Sequence, residues 1–176
     1  AMGARYRTGR GRPTGASRRR DRPVRTIAPT TLADMAATNA VVIYESLTGN
    51  TATAAAHIVA ELEAAGVAAT ACPTTSVDYA ALASADLVIV GSWTDGLFLF
   101  GQKPARAGRL ASLPFMTGKR CAVYCTYAIE TGRTLEKLED IMRGRGANVI
   151  GGLAIRRNDL AGGAREFVQR LLAVSV

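Results

Sequence analysis

The sequence predicts a doubly wound α/β domain built on a five-stranded parallel sheet, with a basic tail ahead of it. Two observations carry this reading. From Ala40 onward, short apolar runs rich in β-branched residues alternate with segments of helical period. Runs of that kind belong to strands buried on both faces, which is the environment of a parallel sheet. Strands that alternate with helices are joined by right-handed crossovers and place helices on both faces. The 176 residues are 48% hydrophobic, enough for one sizeable core.

Each element has its own signal. The run AVVIY (40–44) is the first strand, and SLTGNT (46–51) follows it directly. Ala54, Ile58, Leu62 and Ala65 then recur on one helical face, which Gly66 ends. VAATAC (67–72) is a weaker strand closed by Pro73, and DYAALAS (78–84) holds about two helical turns. DLVIVG (86–91) is the clearest strand signal, and RCAVYC (120–125) is the fourth. Leu135, Leu138, Ile141 and Met142 share a helix face, with Thr131 as a cap and Gly146 as a stop. NVIGGLAI (148–155) is the fifth strand, and its Gly151-Gly152 pair predicts a bulge or a close backbone approach. Leu160, Ala164, Phe167, Val168 and Leu171 line the last helix, capped by Asn158 or Asp159.

The formal charge of +8 is unevenly spread. Residues 1–38 hold nine Arg and two Asp, a net of +7, which leaves +1 for the other 138 residues. The Arg-, Gly-, Pro- and Thr-rich tail has no apolar period, so disorder is expected for residues 1–38 and a folded domain for 39–176. Three readings of the tail stand side by side. It is an arm for nucleic acid or an anionic surface, a transit peptide, or a non-functional extension ahead of a natural start at Met35. Ala1-Met2 resembles a cloning remnant. No signal peptide or membrane span is expected, and the three cysteines in apolar segments point to reduced thiols in the cytoplasm.

Ligands of such sheets sit beyond the carboxyl ends of the strands. The loops to watch are therefore 45–51, 92–103 and 126–132. SLTGNT places backbone amides at a helix N-terminus, where roughly half a unit of positive charge resides. Gly49 lets the backbone approach an anion, and Ser46, Thr48, Asn50 and Thr51 supply neutral donors. Without the Lys of a nucleoside triphosphate loop, this nest suits a phosphate monoester. The alternative is a helix cap with more polar groups than it needs.

SLTGNT resembles the phosphate loop of the flavodoxin family, (T/S)-x-T-G-N-T, at every position. The likeness extends over residues 40–173 and lacks a long insertion in the last strand, so it looks like a short-chain flavodoxin-like domain. The resemblance implies the strand order 2-1-3-4-5 and FMN as cofactor. Ser46, Leu47, Thr48, Gly49, Asn50 and Thr51 would wrap the phosphate. The second loop, Ser92, Trp93, Thr94, Asp95 and Gly96, departs from the family's G-[ST]-P-x-[YFW], because Trp93 stands where Pro is common. Trp93 either faces the flavin or covers the sheet end. The third loop would meet the pyrimidine end of the flavin through Thr126, Tyr127, Ala128 and Gly132, with Tyr127 either stacked on the ring or packed on the surface. The apolar stretch LFLFGQ (97–102) is a lid, a partner patch or a helix folded onto the domain.

The function implied is an FMN-binding redox protein that carries electrons between a reductase and an acceptor. Carriers of the family are usually acidic around the flavin, whereas Asp95 and Glu130 are the only acids of the second and third loops. That departure keeps two alternatives open. One is an NAD(P)H-dependent FMN or quinone reductase, of a kind that often works as a homodimer. The other is a flavin-free interaction module, which Trp93 and the basic Lys103, Arg106 and Arg109 keep in play. No Ser–His–acid set, metal cluster or nucleic-acid motif is expected in the domain. His57 reads as a helix-surface residue, Cys121 and Cys125 lie too far apart along a strand to bridge, and Cys125 ends near the flavin loops.

Overall fold

The computed structural model describes Ala37 and residues 39–96 and 101–173. The expectations for the tail before Ala37 and for Leu97–Phe100 lie outside these residues. The elements are β1 (Asn39–Tyr44), α1 (Asn50–Ala64), β2 (Ala68–Pro73), α2 (Tyr79–Ser84), β3 (Leu87–Asp95), β4 (Lys103–Pro104), α3 (Ala107–Leu110), β5 (Arg120–Tyr127), α4 (Thr134–Gly144), β6 (Asn148–Arg156) and α5 (Leu160–Ala173).

The sheet runs β2-β1-β3-β5-β6, with all four pairings parallel. For its five long strands this is the 2-1-3-4-5 order. The two-residue β4 lies off that path and pairs antiparallel with the end of β3. Successive residues of a strand point to opposite faces, so each central strand feeds two cores. Ala40 and Val42 of β1, with Leu87 and Ile89 of β3, pack under Ile58 and Leu62 of α1 and Phe167 and Leu171 of α5. Val41 and Ile43, with Val88 and Val90, meet Leu110, Leu138 and Met142 on the other face. Each such fully buried aliphatic side chain contributes about 1.5–3 kcal/mol over an exposed one.

Two strands run further than their apolar runs. β3 continues through Ser92–Asp95 and β5 through Tyr127, because Ser92 pairs with Cys125 and Trp93 with Thr126. The residues expected in the second and third loops are therefore partly strand. A backbone that finds a neighbouring ladder extends without an apolar pattern of its own. At the helix ends, Asp159 caps α5 by accepting from the Gly162 N–H at 3.0 Å, whereas α4 is preceded by Arg133 and Thr131 makes no side-chain cap. The Gly151-Gly152 expectation holds in both its forms. The β5–β6 register shifts between Cys121 and Ala122, and a Cβ on Gly152 would sit 2.9 Å from the Val123 carbonyl oxygen. Ala65 is exposed rather than packed on α1's inner face.

Candidate functional site

β1, β3 and β5 end side by side, and their ends hold one cleft. Its walls are Leu47, Thr48, Asn50 and Thr51 from the first loop, Trp93 and Thr94 from β3, Thr126, Tyr127 and Ala128 from β5, and Arg157 after β6. Nine of the fifteen residues singled out from the sequence thus meet in one place. Ser46, Gly49, Ser92, Asp95, Gly96 and Gly132 lie outside the lining.

The first loop is built around Gly49. Its φ of 90° is left-handed, with no heavy atom within 4 Å of where a Cβ would stand, and it caps α1 without a side-chain bond. That backbone aims the start of α1 at the cleft. Among the described residues, no protein acceptor takes the amides of Thr48, Gly49, Asn50 or Thr51. The side chains divide the work. Ser46 Oγ accepts from the Ala52 N–H at 3.3 Å, so it serves the helix. Asn50 Nδ2 donates to Thr48 Oγ1 at 3.2 Å, which sets both groups on the cleft side. The Thr51 and Thr126 hydroxyls share a buried hydrogen bond of 2.9 Å, and the Tyr124 hydroxyl donates to the Thr51 carbonyl at 2.9 Å. These two bonds lock α1's first turn to β5. Burial raises the Tyr124 phenol well above its ordinary value, with the nearby Tyr44 adding to the shift, so the hydroxyl stays a donor.

The second loop is held from below by a group that the sequence reading passed over. Glu45 is only 3% exposed, directly before SLTGNT, and it pairs with Arg106 at 3.0 Å and Arg109 at 3.2 Å. The Thr74 hydroxyl also donates to it. Ser92 Oγ donates to the Ala105 carbonyl at 3.1 Å, and the Ala105 N–H returns to the Trp93 carbonyl at 3.0 Å. Ser92 therefore fastens the loop. Asp95 accepts from the Gly96 N–H at 3.0 Å and stays exposed. Gly132, at φ 47°, packs against Gln102, where a Cβ would collide with the side chain.

Both aromatic candidates are half-buried at the cleft, and each carries a cation on its ring. The Arg106 guanidinium carbon lies 5.8 Å from the Trp93 centroid, and that of Arg156 lies 5.9 Å from Tyr127. Contacts of this kind contribute about 0.5–1 kcal/mol at exposed sites. Cys125 is fully buried and outside the lining, although the Thr94 hydroxyl beside it makes no hydrogen bond within normal geometry. Burial pushes Cys121 and Cys125 up to about 12, with the Thr94 hydroxyl lowering Cys125 in part. Both are neutral thiols at physiological pH. All three cysteines are unbridged, and His57 lies on α1 away from the cleft.

A profile of flavodoxin domains matches residues 41–142, which takes in β1 through most of α4. The chain belongs to the flavodoxin family. Members of this family bind flavin, usually FMN. A flavodoxin of Streptococcus pneumoniae TIGR4 superposes with a TM-score of 0.59 at 22% identity, covering 77% of this chain and 98% of that one. A cysteine-to-serine mutant of the flavodoxin from Pseudomonas aeruginosa gives 0.60 at 18% identity, over 77% and 97%. The rubredoxin oxygen:oxidoreductase of Desulfovibrio gigas gives 0.56 at 18% identity, over 78% of this chain but 37% of that one. These likenesses are of fold. Comparison with curated proteins finds no match.

The donor set fits a flavin phosphate. Unpaired amides, the Thr48 hydroxyl and the Asn50 amide offer hydrogen bonds without a charge in the loop, and two aromatic side chains border the same space. Leu47 is 66% exposed at the cleft and Ile129 equally so beside it, an apolar rim suited to a planar ring. Among the described residues no cluster of metal ligands and no helix long and apolar enough to cross a membrane is present. Arg157 was not singled out from the sequence, because the segment after the last strand lies outside the three loops expected to hold a ligand.

Proposed function

We propose that this chain binds FMN in the cleft and acts as an electron-transfer flavoprotein between a reductase and an acceptor protein, in the cytoplasm. The observation that carries the proposal is the cradle at the start of α1, whose backbone amides from Thr48 to Thr51 have no protein partner among the described residues. A phosphate there would accept from those amides and from Thr48 and Asn50, while Ser46 holds the helix start and Thr51 anchors it to β5. Bound in this way, the flavin would supply one- and two-electron chemistry. The chain's part is to seat, orient and shield it. Trp93 and Tyr127 would flank the ring from β3 and β5, where an offset aromatic pair adds roughly 0.5–1.5 kcal/mol.

A second reading, an NAD(P)H-dependent FMN or quinone reductase working as a homodimer, draws on the cations around the cleft. Arg157 lines it, and Arg106 and Arg156 lie over the rings of Trp93 and Tyr127 in its wall. One preparation separates these readings. Purified protein is incubated with FMN and desalted, and its flavin absorbance is recorded. Retained flavin supports the cofactor assignment, and its loss at micromolar FMN returns the chain to a flavin-free interaction module. NADPH oxidation by the loaded protein alone favours the reductase; its absence favours the carrier.

A further inference from the structure

The cradle itself is uncharged, yet the cleft is not. We propose that Arg157 is the phosphate-selecting cation of this site, giving it an electrostatic preference for FMN over unphosphorylated riboflavin. The proposal rests on the FMN reading above. Three observations lead to it. Arg157 lines the same cleft as Thr48, Asn50 and Thr51, although it comes from the far side of the sheet's ligand end, after β6. Its backbone is fixed there, since its N–H donates to the Tyr127 carbonyl at 2.9 Å. Its guanidinium has no ion pair or hydrogen bond among the described residues, whereas Arg106, Arg109, Arg133, Arg143, Arg165 and Arg170 are all ion-paired.

Charge arithmetic gives the residue its role. A phosphate monoester carries about −1.5 to −2 near neutral pH. The α1 terminus offers only about half a positive charge. Arg106 and Arg109 are committed to Glu45, and Arg156 lies over Tyr127. Arg157 is therefore the cation of the cleft wall left to answer a dianion. Its exposure limits the gain, because water screens such pairs, and salt shortens the screening length to about 3 Å at 1 M. Riboflavin has the same ring and ribityl chain without the phosphate, so it isolates the effect.

The test is flavin-fluorescence titration of wild type, Arg157→Gln and Arg157→Lys with FMN and with riboflavin, at low salt and at 1 M salt. Thermal melting confirms that the exposed substitutions leave the fold intact. The expected result is a loss of FMN affinity in Arg157→Gln of about fivefold at low salt, shrinking toward about twofold at 1 M. Riboflavin affinity stays unchanged, and Arg157→Lys retains most of the FMN preference. Equal FMN affinity in wild type and Arg157→Gln overturns the proposal while leaving the cofactor reading intact. Equal losses for FMN and riboflavin also overturn it, since the side chain then supports the ring. Wild type that binds neither flavin overturns the cofactor reading and this proposal together.

Discussion

Gly49 and Arg106 solve one backbone problem in opposite ways. Each precedes a helix, each has a left-handed backbone, and neither makes a side-chain cap bond. At Gly49 the conformation costs nothing, because no Cβ is present and the space beside it is open. Arg106, at φ 49°, is the one non-glycine residue with positive φ among those described. An L side chain there costs roughly 1–2 kcal/mol. The strain is offset by distant partners, the buried Glu45 and the ring of Trp93. The turn of the first corner is thus set by its own glycine, with Thr51 tied to β5. The second is set by an ion pair between positions 61 residues apart.

Four experiments sharpen or break this contrast. The largest effect is expected from the buried core of β5. Cys121 and Cys125 of β5 are held up to about 12 by burial, from an ordinary thiol value of 9.0. Above pH 9 the unfolded chain loses these protons while the folded chain keeps them, so stability is full below pH 9 and falls as pH rises toward 12. Each thiol contributes about 1.4 kcal/mol per pH unit in that window. Urea midpoints measured from about pH 8 to about pH 11 should fall steadily above the ordinary thiol value, and a flat profile would mean that the thiols are not buried as described.

Next comes Glu45→Ala, which removes the anchor of the second corner. Its two arginines are about 40% exposed and turn to water, so the loss is nearer about 2 kcal/mol than that of a fully buried pair. An unchanged denaturation midpoint would deny the pair its structural role. The first corner calls for a ligand experiment. Thr48→Ala with Asn50→Ala should leave stability within about 0.5 kcal/mol, since their mutual hydrogen bond is exposed. FMN affinity should fall by about 2 kcal/mol, roughly thirtyfold, measured by calorimetry. The finest comparison is Arg106→Gly against Arg106→Ala. Both lose the Glu45 pair, but only glycine sheds the backbone strain, so it should be the more stable by about 1 kcal/mol in thermal melts.

The contrast also explains what was legible in the sequence. The five strands follow from apolar runs such as AVVIY and DLVIVG, whose message is local, whereas their order came from the resemblance to the flavodoxin family. Gly49 was legible for the same reason. Ser46 and Thr51 were read as ligands through side chains and backbone amides; in the fold the Ser46 hydroxyl bonds Ala52 and the Thr51 hydroxyl bonds Thr126. A hydroxyl's choice between a ligand and its own helix depends on partners that only the fold supplies. The strand character of Ser92–Asp95 was hidden because it comes from β5 and β4 rather than from its own residues. Glu45 was hidden likewise. One carboxylate after an apolar run says nothing of two arginines beyond a third strand.

The account stands on a phosphate seated by the amides that begin α1. Amide chemical shifts of ¹⁵N-labelled protein, recorded as FMN and then riboflavin are added, test this directly. FMN should move the amide signals of Thr48, Gly49, Asn50 and Thr51 strongly downfield, and riboflavin should leave those four near their free positions. Binding of FMN with these four unmoved would place the phosphate elsewhere and contradict the account.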